Sequence, residues 1–406
     1  MLPDALHCTG CGVCQSVCPV SAIKMKENAE GFSYPEINAS VCVHCGLCEK
    51  KCHLMSETTR HAPLSAYAVQ YTRKGLKNSA SGGAFMALAD WMLAHGGAVA
   101  GCAYDEALVP KHILIRETEK LPLLQGSKYV ESDMGDVFSQ VEAALRQGIP
   151  VLFTGTGCQI AALKKYLGPA PKELWTLEIL CQGVPSRKLF RDYVAYLGKR
   201  SPVTGFRFRS KEQYGWGDYH GQYTLQNGQA VPIDYDTDFY YQCFLRGDDY
   251  RESCYRCPYA GSSCGSDFLI GDCWGVTDLP EGFDKDAGVS LLLTYSERGQ
   301  AMLTCSERGE ALLGGSERGE ALPDYSKQDW VLPKTGKLPL IAAPADLDSA
   351  IAHQAKLRHA AFRPKRRTFF YRLICLAGLP GTVILWRTKK HLTGILHPRQ
   401  RGSPIE

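Results

Sequence analysis

Two stretches near the N-terminus constrain this chain more than anything else in it: CTGCGVCQSVC, from Cys8 to Cys18, and CVHCGLCEKKC, from Cys42 to Cys52. Each sets four cysteines in the rhythm C-x2-C-x2-C-x3-C, and every position of the first run recurs in the second at an offset of 34 residues. That rhythm suits [4Fe-4S] cubanes, in which three thiolates of one run cap a cluster and the fourth reaches across to the other. Cys8, Cys11 and Cys14 then join Cys52 on one cluster, and Cys42, Cys45 and Cys48 join Cys18 on the second. A structural zinc site wants one four-ligand set with a longer loop between pairs, and it offers no reason for this spacing. Gly10, Gly12 and Gly46 fall between ligands, where the backbone must wrap tightly around sulfur. The first run is followed by Pro19 and the second by His53, a departure that leaves the ligand set intact. Two [4Fe-4S] clusters in a bacterial-type two-cluster ferredoxin domain over residues 1–60 are therefore expected.

The rest of the composition is ordinary for a soluble chain: of 406 residues, 45% are apolar and 22% charged. The start MLPDALHC has neither the basic residues nor the apolar run of a secretion signal. Cysteines arranged for metal rather than disulfides belong in a reducing compartment, so a cytoplasmic protein is expected. The net charge of +4 hides an asymmetry, because residues 351–406 carry 12 Lys or Arg against the single acid Glu406. Residues 1–350 are left with 34 basic against 41 acidic residues, a balance of −7. The basic tail, residues 336–406, contains a charge-free run of 14 residues from Leu373 to Trp386 that is broken by Gly-Leu-Pro-Gly. That is short of the roughly 20 residues a membrane span needs. It reads as a buried terminal helix, with peripheral membrane contact by a cationic anchor as the alternative. Three copies of a ten-residue SERG repeat, starting at Ser296, Ser306 and Ser316, match no solenoid period and read as a local duplication in a surface helix or loop.

Between the cysteine runs and the tail, helical and strand-like segments alternate. GGAFMALADWMLAHGG has helical spacing, AVAGCAY and HILIRE read as a hairpin, and MGDVFSQVEAALRQG as an amphipathic helix. IPVLFT, IAALKKYLG, LWTLEIL and RKLFRDYVAYLG then give strand, helix, strand and helix, joined by the loops GTGCQ and CQGVPS. Alternation of this kind predicts parallel β-α-β units, whose ligands gather at the carboxyl ends of the strands, where both loops sit. Beyond residue 200, TGFRFRS and HGQYTLQNGQAVPID read as strands and DTDFYYQCFLR as a helix. The fold class expected is α+β, a two-cluster ferredoxin domain followed by an α/β core, which the resemblance given next implies is a flavoprotein core.

Four further cysteines sit where chemistry could use them: Cys158 in GTGCQ, Cys181 in ILCQG, and Cys254 and Cys257 in SCYRC. They could supply one more cubane, or Cys158 and Cys181 could be buried small apolar residues. Here the chain resembles the beta-subunit family of coenzyme F420-reducing hydrogenases and dehydrogenases, which includes the plant 7-hydroxymethyl chlorophyll reductase. The resemblance is carried by SASGGAF (79–85), GSKYVES (126–132), VLFTGTGCQIAAL (151–163), LCQGVPS (180–186), RESCYRCPYAGSSCGSDFLIGDCWG (251–275) and GVSLLLTY. It implies that residues 63–145 and 148–335 are the N- and C-terminal parts of the family's core, and that Cys158, Cys181, Cys254 and Cys257 hold a third [4Fe-4S] cluster. It also implies bound FAD, with Ser81, Gly82, Gly83, Thr156 and Gln159 near its phosphates and Lys128 near the flavin N1 and O2 region. Cys264 stands where relatives carry a basic residue and is left out of the set. The usual GTPCQ is GTGCQ here, and Gly157 loosens that loop without removing a ligand.

GTGCQIA imitates part of a dinucleotide fingerprint, but the third glycine and a following acid are missing, so NAD is not expected. Neither a P-loop nor a nucleophile triad emerges from spacing, and nothing points to nucleic acid. The function implied is an FAD-dependent iron-sulfur oxidoreductase passing electrons between a two-electron, deazaflavin-like or other organic substrate and a ferredoxin-type partner. The alternative is a non-catalytic electron-transfer adapter docked to a partner complex.

Overall fold

The computed structural model describes residues 2–57, 59–169, 171–212, 215–217, 219–274, 282–304 and 340–344. The second and third SERG copies and nearly all of the basic tail lie outside the described residues.

The N-terminal module is small and built twice over. Helix α1 (Val13–Ser16) and helix α2 (Leu47–Lys50) each begin after a glycine in the left-handed region, Gly12 at φ 74° and Gly46 at φ 70°. Only glycine takes that turn without strain, which lets each run curl round before its third cysteine enters the helix. Between the runs, strands β1 (Ile23–Glu27) and β2 (Ser33–Ile37) form an antiparallel hairpin, with Ile23 opposite Ile37 and Glu27 opposite Ser33.

The core is a mixed sheet with helices on both faces. In chain order it comprises β3 (Ser65–Tyr71), α3 (Ala84–Ala94), β4 (Ala98–Tyr104), β5 (Pro110–Ile115), α4 (Leu121–Leu124), α5 (Val137–Arg146), β6 (Val151–Gly155), α6 (Gly157–Leu167) and β7 (Leu174–Ile179). There follow α7 (Arg187–Leu197), β8 (Val203–Arg207), β9 (His220–Leu225), β10 (Ala230–Asp234), α8 (Phe239–Arg246), β11 (Phe268–Asp272), β12 (Ser290–Thr294), α9 (Glu297–Thr304) and β13 (Leu340–Pro344). The large sheet has eight strands in the order β13-β3-β12-β11-β7-β6-β4-β5. Its middle, β11-β7-β6-β4, is parallel, with β6 and β7 as the alternating pattern predicted; β5 pairs with β4 as the expected antiparallel hairpin, and the β12-β3-β13 side also runs antiparallel.

Alternation along the strands sorts the core into two layers. Val99 and Leu152 join α3 on one face, while Ala98, Ala100, Val151 and Phe153 join α5 and α6 on the other. Val13 of the N-terminal module is buried in that second layer, so the module shares a hydrophobic core with the sheet. A separate aromatic cluster, including Phe190, Tyr193, Phe206, Phe208, Tyr240 and Tyr241, is shared by α7, α8 and the three-stranded antiparallel sheet β10-β9-β8. The first SERG copy begins α9, whose Ala301, Met302 and Leu303 are buried.

Polar contacts fix the module further. Arg251, 1% exposed, donates to the carbonyl oxygens of Cys8 at 3.1 Å and Ser33 at 2.7 Å, and pairs with the buried carboxylate of Glu131. Its guanidinium also lies over the Phe32 and Tyr34 rings, at 5.2 and 4.6 Å from their centroids. A Cβ on Gly10 would strike this guanidinium, so glycine is required there by close approach as well as by its φ of 69°. The chain leaving the module is pinned too: Arg60 donates to the carbonyls of Pro258 at 2.6 Å and Tyr259 at 2.9 Å, and His61 bridges Cys264 through the backbone. Among the described residues no helix is long and apolar enough to cross a membrane.

Replacing Arg251 with Met strips a buried carboxyl of its partner and two carbonyls of their donor. The expected loss is about 3–5 kcal/mol, read as a lower denaturant midpoint.

Candidate functional site

The cysteines of the two runs fall into an inner and an outer group. Cys11 and Cys14 each lie in the electrostatic field of Cys8 and Cys52, and the field of Cys48 includes Cys45. Burial pushes the Cys11 thiol up to about 12, and Cys14 and Cys52 also upward. Cys14 and Cys52 are buried, whereas Cys45 is exposed. The Cys18 sulfur accepts the Ala22 N–H at 3.2 Å.

The second cysteine group assembles from three separate stretches. The structure corrects one expectation here: GTGCQ is only partly a loop, because α6 starts at Gly157 and carries Cys158 and Gln159 in its first turn. Cys181 follows β7, and Cys254 lies in the 3-10 turn Glu252–Arg256, with Cys257 just beyond. All four line one cavity of about 50 Å³, together with Thr9, Glu178, Ser253 and Tyr259. The Cys158 thiol is raised first by burial and then by Cys257, Cys181 and Cys254; burial and the fields of Cys181 and Cys257 raise Cys254. The Thr156 hydroxyl stands 3.1 Å from the Cys158 sulfur. Ser253 Oγ is buried beside this cavity with no hydrogen-bond partner among the described residues. A donor set of four convergent thiols with an unsatisfied hydroxyl fits a cubane, whose sulfides accept such hydrogen bonds. No group of three or more His, Cys, Asp or Glu among the described residues could hold a single metal ion. A cubane is a larger body, with its ligands on the outside.

Gly157 is not a loosened position. A Cβ there would come within 2.8 Å of Glu178 Oε1 and 2.9 Å of Tyr259 Cβ, so only glycine fits without moving the carboxylate. Cys264, fully buried, donates its S–H to Glu178 Oε2 at 2.8 Å.

A larger cavity, of about 320 Å³, runs from Thr9, Gly10 and Cys11 past Cys158 and Cys181 to the loop before α3. Ser81, Gly83, Lys128, Thr156 and Gln159 line it, as do Tyr219, Asp272 and Trp274. Gly83 caps α3 without a side-chain hydrogen bond of its own, and the Ala84 N–H has only a long contact to Ser290 Oγ, at 3.5 Å, so the helix end can still receive an anion. Gly82 instead packs on the sheet, where a Cβ would collide with Ser290 N and Val69 O. The other side chains singled out are engaged internally. Ser81 Oγ donates to Val289 O at 2.7 Å, and Lys128 Nζ donates to the carbonyls of Leu123, Gln125 and Gly126 at 3.0–3.3 Å. Thr156 and Gln159 close a capping box on α6, with Gln159 Oε1 accepting the Thr156 N–H at 2.9 Å.

Several residues in this wall or packed behind it gave no signal in the spacing. Lys211 donates to the carbonyls of Ser81 at 2.9 Å, Leu76 at 3.0 Å and Ala287, fixing the Ser/Gly loop; burial holds its ammonium down at about 8. His112 Nε2 donates to Thr154 O at 3.1 Å, which assigns the tautomer, since a carbonyl only accepts. Its Nδ1 therefore accepts from Ser132 Oγ at 2.8 Å, and Ser132 accepts from Gln159 Nε2 at 2.9 Å. Burial keeps His112 neutral, and in that form every member of this chain of bonds is paired. Arg209, buried, lies 4.1 Å from the Tyr219 centroid and bonds Asp272 at 3.2 Å, while Trp216 and Trp274 stack at 4.3 Å.

An α/β core carrying an N-terminal iron-sulfur dicluster domain defines an iron-sulfur electron-transfer protein of the oxidoreductase kind. Residues 150–314 match the family model for the C terminus of the coenzyme F420 hydrogenase/dehydrogenase beta subunit, and residues 7–54 match that of the 4Fe-4S dicluster domain. Over residues 150–314 the chain is therefore similar to the beta subunits of coenzyme F420 hydrogenases and dehydrogenases. No curated protein matches it. Among solved structures, a chain of the F420-reducing [NiFe] hydrogenase complex from Methanosarcina barkeri is similar at 18% identity over 59% of this chain and 77% of that one, with a TM-score of 0.39, too distant a likeness to carry an argument.

The His112 network makes stability depend on pH. Burial lowers its imidazole from 6.5 to about 4, so on acidification the unfolded chain takes up a proton that the native state refuses. Stability from this group is intact above 6.5 and declines as pH falls toward 4, by about 3 kcal/mol over the whole window. Denaturant titrations at pH 7 and pH 5 should show the loss, and His112→Asn should reduce it.

Proposed function

We propose that this chain is an iron-sulfur flavoprotein oxidoreductase that exchanges electrons between an organic two-electron substrate, deazaflavin-like or otherwise, and a one-electron protein partner. The observation that carries the proposal is the adjacency of three features along two cavities that share Thr9, Thr156, Cys158 and Cys181: the Ser/Gly loop before α3, the Cys158, Cys181, Cys254 and Cys257 group, and the Thr9–Cys11 stretch of the first cysteine run. In this reading Cys8, Cys11, Cys14 and Cys52 hold an inner [4Fe-4S] cluster, Cys18, Cys42, Cys45 and Cys48 an outer one, and the core group a third.

FAD, when bound, supplies the exchange between electron pairs and single electrons. The chain's own part is to orient and enclose it. Lys211 holds the Ser81 carbonyl back, so that the start of α3, capped only by Gly83, is left to face a phosphate. Gly83 lines the approach, and Gly82 keeps the loop close to the sheet. Lys128 contributes positive charge at the cavity wall while its hydrogen bonds hold the 123–126 carbonyls.

Between the core group and the inner set stands His53, buried, with Nε2 3.0 Å from Thr9 Oγ1 and Nδ1 bonded to the Tyr259 hydroxyl. Burial holds its imidazole down at about 4, so it joins the two sites as a neutral group. The outer set, with exposed Cys45 beside exposed Val41 and Val43, is where the protein partner meets the chain. A cytoplasmic location goes with this reading, as does a supporting contact of the basic tail with a membrane surface.

A second reading, a non-catalytic electron-transfer adapter, draws on the internal engagement of the Ser81, Lys128, Thr156 and Gln159 side chains. Anaerobic purification separates the two. About twelve irons per chain and a flavin bleached by a reduced deazaflavin or ferredoxin support the oxidoreductase. About eight irons and no flavin would favour the adapter. Replacing Cys254 and Cys257 together by Ser should remove about four irons and leave the dicluster signals in place.

A further inference from the structure

The carboxylate of Glu178 is out of place for a strand end beside four thiols. It is 3% exposed, on β7, and it lines the same cavity as Cys158, Cys181, Cys254 and Cys257. One oxygen accepts from two neutral donors, the Cys264 thiol at 2.8 Å and the Ser266 hydroxyl at 3.3 Å. The other is aimed at the start of α6, where the missing Cβ of Gly157 leaves it room next to Cys158. Burial and the carboxylate together keep the Cys264 proton on sulfur. Cations stand nearby as well, Arg60 over the Tyr259 ring at 5.8 Å among them. Arg251 is paired with Glu131, and Lys164, on α6, donates to Gly265 O while lying in the fields of Asp267, Cys264 and Glu178.

We propose that Glu178 is a fixed negative charge built against the core cysteine site, and that it lowers the reduction potential of the cluster held there. The proposal rests on the reading of those four cysteines as a third [4Fe-4S] site. Reduction is a one-electron step, [4Fe-4S]2+ plus an electron giving [4Fe-4S]+, and it adds a negative charge to a centre that already carries four thiolates. A carboxylate in the same dry cavity opposes that addition, because charges interact strongly where water is excluded. The Thr156 hydroxyl acts the other way: a hydrogen bond to the Cys158 sulfur favours the more negative, reduced state. Glu178 and Thr156 are thus opposed tuning residues on one site.

The test is a dithionite titration of anaerobic, iron-loaded, full-length protein, followed by electron paramagnetic resonance. Glu178→Gln should raise the ratio of reduced to oxidised core cluster at a fixed potential at least tenfold, leaving the two dicluster signals unmoved. Glu178→Asp should return the ratio toward that of the parent, and Thr156→Val should lower it. A ratio within twofold of the parent in Glu178→Gln, or equal shifts of all three clusters, would overturn the assignment. An iron content of about eight with no third signal in the parent would instead remove the four-cysteine reading, and the proposal with it.

Discussion

The guanidinium of Arg251 is the contact on which the rest of this architecture depends. It touches the first cysteine run through the Cys8 carbonyl, the β1-β2 hairpin through Ser33 and two aromatic rings, and the cavity wall through Glu131. Its own backbone reaches further, with its N–H on Val184 O at 3.0 Å and its carbonyl taking the Cys254 N–H at 2.9 Å. One residue thereby ties the first cysteine run to the Cys254 and Cys257 pair, more than 200 positions further along the chain. Burying a cation and a carboxylate in this way is costly, and burial pushes Glu131 upward even with Arg251 against it. What the pair secures is geometry. An iron-sulfur wire needs centres held at fixed short separations, and a swinging module would not hold them.

The buried thiols tell the same story from the metal's side. Burial raises the thiols of Cys11 and Cys14 in the dicluster domain, whereas iron requires thiolate. The polypeptide alone therefore disfavours the form that its ligands must adopt, and the iron supplies the compensating charge. Cluster assembly and completion of the fold become coupled, as in small metal-dependent domains generally.

Much of this is legible in the sequence, for identifiable reasons. Ligand spacing is local, so the two N-terminal runs speak for themselves, and the buried strand β6 and helix α3 announce themselves by period and turn residues. The parallel pairing of β6 and β7 follows from alternation and the β4-β5 hairpin from its short connection, while the β12-β3-β13 flank does not, because register between distant strands leaves no local trace. Apolar spacing starts α6 at Ile160, three residues late. Gly157 reads as a breaker until the Glu178 carboxylate shows why a side chain cannot stand there. Glu178, His112, Lys211 and Arg251 stay unreadable for a common reason: their partners are carbonyls, hydroxyls or thiols on other elements, and ordinary polar residues in ordinary positions carry no periodicity. Gly82, Ser81 and Lys128 illustrate the reverse, since their motif draws attention while their atoms are tied up in holding the loop.

Exposure is graded along the cysteine sets, from Cys45 at the surface to Cys14 and Cys52 inside. A chain loaded with clusters would meet dioxygen in that order. Decay in air would begin at the rim and spare the interior for longer, so that a partly bleached preparation has lost its contact with the outside before it has lost its chemistry.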